Sequence, residues 1–241
     1  MSLIRRAGAE LLGTAFLVAA VIGSGIAATR LSPGQVGLQL LENSLITGGA
    51  LIALILALQP LSAAFNPVVT LVELALGAVP AAAALVLIAA QFVGGFVGAV
   101  VANLMFQLDA VSISTHHRST SNLWLGEVVA TFGLVVVIFG MVRAGRANHV
   151  AVAVAGYITA AYWFTSSTSF ANPAVTVARI FSNTFAGIAP SSVPMFILMQ
   201  LLGGALAYAV VRFLYPDAPA LAAQLTEEAT PGATAQPGDV P

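Results

Sequence analysis

Ser169-Phe170-Ala171-Asn172-Pro173-Ala174-Val175 decides the fold, because Ala64-Phe65-Asn66-Pro67-Val68-Val69 repeats its pattern in the first half of the chain. Asn is a favoured helix N-cap, and Pro suits the first helical position, where its missing N–H would have had no partner anyway. Each Asn-Pro pair therefore opens a helix. Neither helix has enough apolar sequence before its next break to cross a bilayer, so each reads as a half-helix re-entering a protein-lined cavity. A single Asn-Pro pair would mark an ordinary turn. Two of them, at equivalent places in a duplicated apolar chain, mark a pair of facing half-helices.

Composition leaves only a membrane for such a chain. Of its 241 residues 59% are hydrophobic and 7% charged, where a soluble domain carries about 25% charge. All eight basic residues are Arg and the net charge is −1, which does not suit a nucleic-acid footprint. There is no cysteine, hence no disulfide and no thiolate metal site. His116, His117 and His149 and the nine carboxylates lie mostly in loops or the C-terminal stretch, which leaves an enzyme short of parts. The His116-His117 pair has no third ligand nearby and reads as a solvated loop, so neither a metal nor a cofactor is expected.

Outward from the two boxes, apolar stretches of spanning length alternate with breaks. The first covers about residues 7–29. Arg5-Arg6 and the small residues near Ala28 imitate a signal peptide, but Glu10 inside the apolar run is foreign to one. The run is also long enough for a hydrocarbon core of about 30 Å. Further spans are expected at 37–58, 81–106, 123–142, 150–164 and 194–215, with half-helices at 67–76 and 173–181 and an extramembrane loop at 109–122. Glu10 in Ala-Glu-Leu-Leu-Gly-Thr corresponds to Glu127 in Gly-Glu-Val-Val-Ala-Thr, and Gln91-Phe-Val-Gly-Gly to Gln200-Leu-Leu-Gly-Gly. Three spans per unit is an odd number, so the second copy is inverted relative to the first.

The expected fold is thus an all-α membrane protein, with six transmembrane helices and two re-entrant half-helices in an inverted three-helix repeat. The channel domain covers 1–215, with repeats at about 7–107 and 123–215, and the Pro-, Ala- and Thr-rich stretch 216–241 is expected to be a disordered tail. Six spans put both termini on one side. That side holds Arg5, Arg6, Arg143, Arg146 and Arg212 against Arg30, Arg118 and Arg179 on the other, which favours cytoplasmic termini. Gly94, Gly95 and Gly98, and Gly203, Gly204 and Ala207, are spaced for close helix contact.

Asn66-Pro67-Val68 and Asn172-Pro173-Ala174 resemble the paired Asn-Pro-Ala boxes of the aquaporin and glycerol-facilitator (major intrinsic protein) family, over roughly residues 7–215. The resemblance implies a homotetramer in the inner (plasma) membrane, each subunit holding a pore where the half-helices meet at the bilayer midplane. Two helix N-termini, each worth about +0.5 of an elementary charge, would repel cations there. The Asn66 and Asn172 amides would offer donors to a passing oxygen without any charge. Glu10 and Glu127 are ionisable groups inside apolar helices and so functional candidates by default. The resemblance instead suggests buried structural acids that hold the loops beside each half-helix, and no ladder of further carboxylates accompanies them for a proton relay.

Departures from the family pattern carry the substrate reading. Val68 stands where Ala is usual, and Val175 stands where most members place an Arg that narrows the outer constriction. Arg179 lies one helical turn further along and is able to share that face, which leaves two readings open, a stand-in for the missing guanidinium and a positioning or surface residue, of which the second is preferred. Carrying over the remaining filter positions gives Ser169, Ala160 and either Ile46 or Thr47. Adjacent helical residues point about 100° apart, so only one of the last two faces the pore, and Thr47 is preferred for its hydroxyl. The expected filter of Thr47, Ala160, Ser169 and Val175 holds no aromatic ring and no charge. Water-selective members are similar to one another in a His and Arg constriction, and glycerol channels in an aromatic and Arg one. Residues 164–179, with Thr-Ser-Ser-Thr-Ser before the box and Val-Thr-Val-Ala-Arg after it, resemble bacterial aquaporin-like channels associated with arsenic resistance.

The function expected is passive conduction of small neutral solutes, such as arsenite as its neutral hydroxide, glycerol-like polyols or water, through a wide filter lacking the usual Arg. One rival is a water-selective channel of the same fold. Another is a non-conducting structural membrane protein, against which the two intact Asn-Pro caps count. Deleting residues 216–241, which carry no periodic apolar face, is expected to leave transport intact, as measured by solute flux per folded protein in liposomes. Loss of assembly on truncation would mark the tail as an interaction segment.

Overall fold

The computed structural model describes residues 1–216, so the expected tail lies, but for Pro216, outside the described residues. Among those, all regular structure is helical: α1 (Leu3–Leu31), α2 (Val36–Leu58), α3 (Pro67–Ala75), α4 (Ala81–Met105), α5 (Ser121–Arg143), α6 (Val150–Phe164), α7 (Pro173–Ala178) and α8 (Val193–Leu214). Local signals set the boundaries. Gly34, at φ +76°, makes the left-handed turn after α1. Pro80 stands at the N-cap of α4, and Pro67 and Pro173 open α3 and α7 behind the capping side chains of Asn66 and Asn172.

Five of the six long helices are long and apolar enough to cross a membrane unaided. The exception is α6, whose 15 residues reach only about 22 Å at 1.5 Å per residue. A 3₁₀ turn at Ala147–His149 extends it at one end, and at the other the chain folds back toward the centre as the loop before α7. Half-helix α7 is shorter than the expected 173–181. Its α geometry ends at Ala178, and Arg179–Phe181 tighten into a 3₁₀ turn. The reason is lateral capture: Ser112 and Ser114 donate their N–H groups to the Phe181 and Ile180 carbonyls, at 3.1 and 2.8 Å. The connection from α4 to α5 is thus packed against the end of α7 at Ser112 and Ser114, while most of it, His116 and His117 included, is exposed as expected of an extramembrane loop.

Within each repeat the first spanning helix lies along the third, α1 on α4 and α5 on α8, and α2 meets α6 between the repeats. Glycine makes these contacts close. A Cβ at Gly94 or Gly98 would collide with the backbone carbonyls of Leu11 or Ala15 in α1, and one at Gly203 would lie 2.6 Å from the Val128 carbonyl in α5. Backbone approach of this kind is how helices associate in lipid, where burying apolar side chains supplies no drive. The apolar residues excluded from the interior, Phe16, Leu45, Leu85 and Leu198 among them, face outward.

Two buried carboxylates hold the irregular backbone that the half-helices require. Glu10 accepts from the Ala64 and Phe65 N–H groups, at 2.9 and 2.7 Å, from the Ser62 hydroxyl at 2.6 Å and from Gln91 Nε2 at 2.7 Å. Glu127 accepts from the Phe170 and Ala171 N–H groups, both at 2.9 Å, and from Gln200 Nε2 at 2.6 Å. Each glutamine also reaches into its half-helix, to Thr70 in α3 at 3.0 Å and to Thr176 in α7 at 2.8 Å. The loops so held contain non-glycine residues in left-handed conformations, Phe65 (φ +47°), Thr168 (+64°), Ser169 (+51°) and Ala171 (+49°). Each costs about 1–3 kcal/mol and persists only where its surroundings over-determine it.

Glu10→Gln and Glu127→Gln replace an acceptor oxygen by an NH₂ facing N–H donors, at about 1–3 kcal/mol for each donor left without a partner. Both variants are expected to lower thermal stability in detergent while leaving selectivity per folded protein unchanged. Unaltered stability with a pH-dependent transport defect would contradict the structural role.

Candidate functional site

Half-helices α3 and α7 meet N-terminus to N-terminus, and their caps cross-link them. Asn66 Oδ1 accepts from the Val68 N–H at 3.0 Å, while its Nδ2 donates to the Ala171 carbonyl of the other repeat at 2.8 Å. Asn172 mirrors this, with Oδ1 accepting from Ala174 and Val175 at 3.0 and 3.3 Å and Nδ2 donating to the Phe65 carbonyl at 2.7 Å. One N–H of each amide is thereby spent on orientation and the second is left for the lumen. Pro67 and Pro173 are buried behind the caps, and Ala174 packs beside Gly95 of α4. The space for Val68, larger than the family's usual Ala, comes from Gly204 of α8, where a Cβ would collide with Val68 Cγ1.

A cavity of about 540 Å³ runs past this meeting point, from Arg6, Gln59 and Glu73 near the chain's N-terminal side to Tyr162 and Arg179 toward the other. One side of it is apolar, formed by residues such as Leu17, Leu51, Leu134 and Ile158. The other is polar: the two loops, 61–66 and 169–172, with both Asn side chains. Their N–H groups at 64, 65, 170 and 171 are turned away to Glu10 and Glu127. Among the described residues the carbonyls of Ala63, Ala64, Ser169 and Phe170 accept no hydrogen bond from the protein, which leaves them as acceptors for a solute. A path with acceptors and amide donors along one side and hydrocarbon along the other suits small hydroxylated molecules that are polar without charge.

The structure places the expected filter residues unequally. Thr47 is buried, lines the cavity and sits 3.2 Å from the Tyr162 hydroxyl, whereas Ile46 is 47% exposed on the outer face of α2. Ser169 and Val175 are buried and line the cavity, and Ser169 Oγ has no protein partner. Ala160 does not belong with them: it is exposed on the outer face of α6. The cavity face of that helix carries Val154, Ile158 and Tyr162 at four-residue spacing, one turn apart. Tyr162 therefore lines the cavity from α6 in place of Ala160, and brings an aromatic ring to its wall. The expectation of a surface or positioning role for Arg179 also changes. Arg179 is 3% exposed and lines the cavity on the same face of α7 as Val175.

Besides Tyr162, sequence reasoning passes over Thr70 and Thr176, the threonines that tie Gln91 and Gln200 to the half-helices. The signal for this pair was present, since each lies four residues after its box Asn. Nothing local marks Tyr162, because α6 is apolar all round and Tyr157 competes for the same role. Tyr157 instead donates to the Val129 carbonyl at 3.2 Å, away from the cavity.

Comparison with known proteins agrees with this geometry. The chain is 45% identical over 230 residues to the aquaglyceroporin AqpS of Rhizobium meliloti (strain 1021), covering 95% of this chain and 98% of that protein. Its fold is similar to the X-ray structure of the aquaglyceroporin from Plasmodium falciparum, with a TM-score of 0.71 at 19% identity, over 90% of this chain and 99% of the other. The family profile described as MIP, major intrinsic protein, matches twice, over residues 1–149 and 144–237. Two half-helices capped by Asn66 and Asn172 and facing each other inside an inverted helical repeat, together with this double match, place the chain in the major intrinsic protein family, as a membrane channel for small solutes and not an enzyme.

Proposed function

We propose that the pore passes small neutral hydroxylated solutes, glycerol-like polyols and arsenite as its neutral hydroxide, with water as a lesser cargo. The observation that carries this reading is Val175. At the position after the second box the cavity meets a short apolar side chain, so no guanidinium from that position takes up lumen volume. Around it the hydroxyls of Thr47, Tyr162 and Ser169 give a solute three neutral partners. The name of the AqpS relative, an aquaglyceroporin, supports a polyol-sized cargo for this chain as well. A filter for water alone would need a tighter and more polar ring than these residues supply.

The assembly in this reading is a homotetramer in the inner membrane with four independent pores, as the family resemblance implies. Both termini are cytoplasmic, on the side that holds Arg5, Arg6, Arg143, Arg146 and Arg212. The test is uptake into proteoliposomes, compared for glycerol, arsenite and water. Water flux with no solute flux would favour the water-selective alternative.

Asn66→Asp and Asn172→Asp remove an amide donor and put a carboxylate at the paired helix N-termini. Each is expected to lower neutral-solute flux at equal membrane expression, by about tenfold for a lost donor of 1.4 kcal/mol. Normal flux in both would contradict their place at the constriction. Val175→Arg restores a fixed guanidinium to the lumen. In a folded variant, glycerol and arsenite flux should fall by about tenfold and water flux by less, raising the water-to-solute ratio, since occupied volume penalises the larger solutes most. An unchanged ratio would show that Val175 does not border the narrow part of the pore.

A further inference from the structure

We propose that Arg179 is the charge-excluding residue of this pore, with its guanidinium pinned flat against the wall so that the filter keeps a positive charge without being narrowed by it. The inference rests on the reading of the cavity as the conducting path. It starts from register: Arg179 follows Val175 by four residues, at the C-cap of α7 where the 3₁₀ turn begins, and both side chains line the same cavity.

Two restraints from different segments hold the guanidinium. Its carbon lies 3.4 Å from the centroid of the Phe170 ring, in the loop before α7, and Nε donates to the Ala186 carbonyl, in the loop after it. A guanidinium stacked on an aromatic face is fixed in its plane. Phe170 is itself fixed by its N–H to Glu127 and by an edge contact with Phe196, ring centroids 5.2 Å apart. The charge therefore has one position, at the wall, and cannot swing across the lumen as a free side chain would.

That charge is held by carbonyl and ring contacts rather than by a hydrogen-bonded carboxylate, with the buried Glu127 behind the Phe170 loop as the nearest acid. Arg118, from the connection between α4 and α5, places a second guanidinium 5.1 Å from the same ring and donates Nε to the Gly187 carbonyl at 3.2 Å. Among the described residues no carboxylate accepts a hydrogen bond from either arginine. Glu127, the acid of this repeat, has its oxygens turned to the Phe170 and Ala171 N–H groups and to Gln200. The mouth at this end of the pore thus carries two guanidinium charges around one ring, and only Arg179 lines the cavity. A pore left wide by Val175 cannot exclude a hydrated cation by size, whereas a fixed charge in a partly desolvated mouth repels it over several ångströms without contact.

The experiment compares the parent with Arg179→Gln, Arg179→Lys and Phe170→Leu in proteoliposomes, reading glycerol flux and potassium leak on the same preparations after a folding check. Arg179→Gln should raise the ratio of potassium leak to glycerol flux, read on the same preparation, by about tenfold or more over the parent. Arg179→Lys, which keeps the charge, should leak no more than about twice the parent rate. Phe170→Leu removes the stacking face but not the charge. It should stay tight to potassium while glycerol flux falls about threefold or more, as the released guanidinium enters the lumen. A folded Arg179→Gln channel with the parent's ratio of potassium leak to glycerol flux overturns the proposal, as does a parent that itself leaks potassium as fast as it passes glycerol. Should the Gln variant not fold, a folded Phe170→Leu channel with parental glycerol flux overturns it independently. A parent that passes no neutral solute refutes the channel reading itself, and this proposal with it.

Discussion

A polypeptide that leaves helical geometry at the depth of a bilayer has no water to satisfy its backbone, and the rest of this structure follows from how that need is met. Glu10 and Glu127 meet it. Each sits on the first spanning helix of its repeat, is fully buried, and accepts the consecutive N–H groups that the loop before a half-helix would otherwise leave orphaned. A carboxylate serves because it accepts several bonds and donates none. The group stays behind the loop, and Gln91 and Gln200 tie it to the half-helix it supports.

Fixing the N–H groups outward has a consequence on the other side of the same peptides. With donors turned to the acids, acceptors are left for the lumen, and the Asn caps add an amide donor each at the point where the repeats meet. The pore is thus polar along one side through backbone, which mutation of side chains cannot readily alter, and apolar along the other through residues such as Leu51 and Ile158. In the proposed reading, selectivity among neutral solutes falls to the few side chains that border the lumen, Val175 among them. Width and charge are separate variables in that reading, with Val175 bearing on the first and the arginines stacked at Phe170 on the second.

Close packing of glycine supports both. Gly94 and Gly98 let α4 lie against the backbone of α1, bringing Gln91 within reach of Glu10. Gly203 does the same for α8 on α5 and so for Gln200 and Glu127. Beside it Gly204 receives the side chain of Val68, which lets the first box carry a larger residue without displacing its cap.

Sequence alone determined the elements whose signals are local. Asn-Pro fixes a helix start through a cap and a missing N–H, long apolar runs fix spans, and a repeat of three spans fixes inversion; Glu10 with Gln91 and Glu127 with Gln200 were legible as symmetric pairs because each stands alone in an apolar run. Only the tertiary structure decided which way a uniformly apolar helix turns. No polar stripe marks the inner face of α6, so nothing in its residues distinguishes Ala160, which faces out, from Tyr162, which faces the cavity; packing against α2 and α5 sets that rotation. The length of α7 and the direction of Arg179 were likewise hidden. Both depend on groups remote in sequence, the Ser112 and Ser114 N–H groups that capture the end of α7 and the Ala186 carbonyl that accepts from Arg179, and no local propensity encodes where those will be.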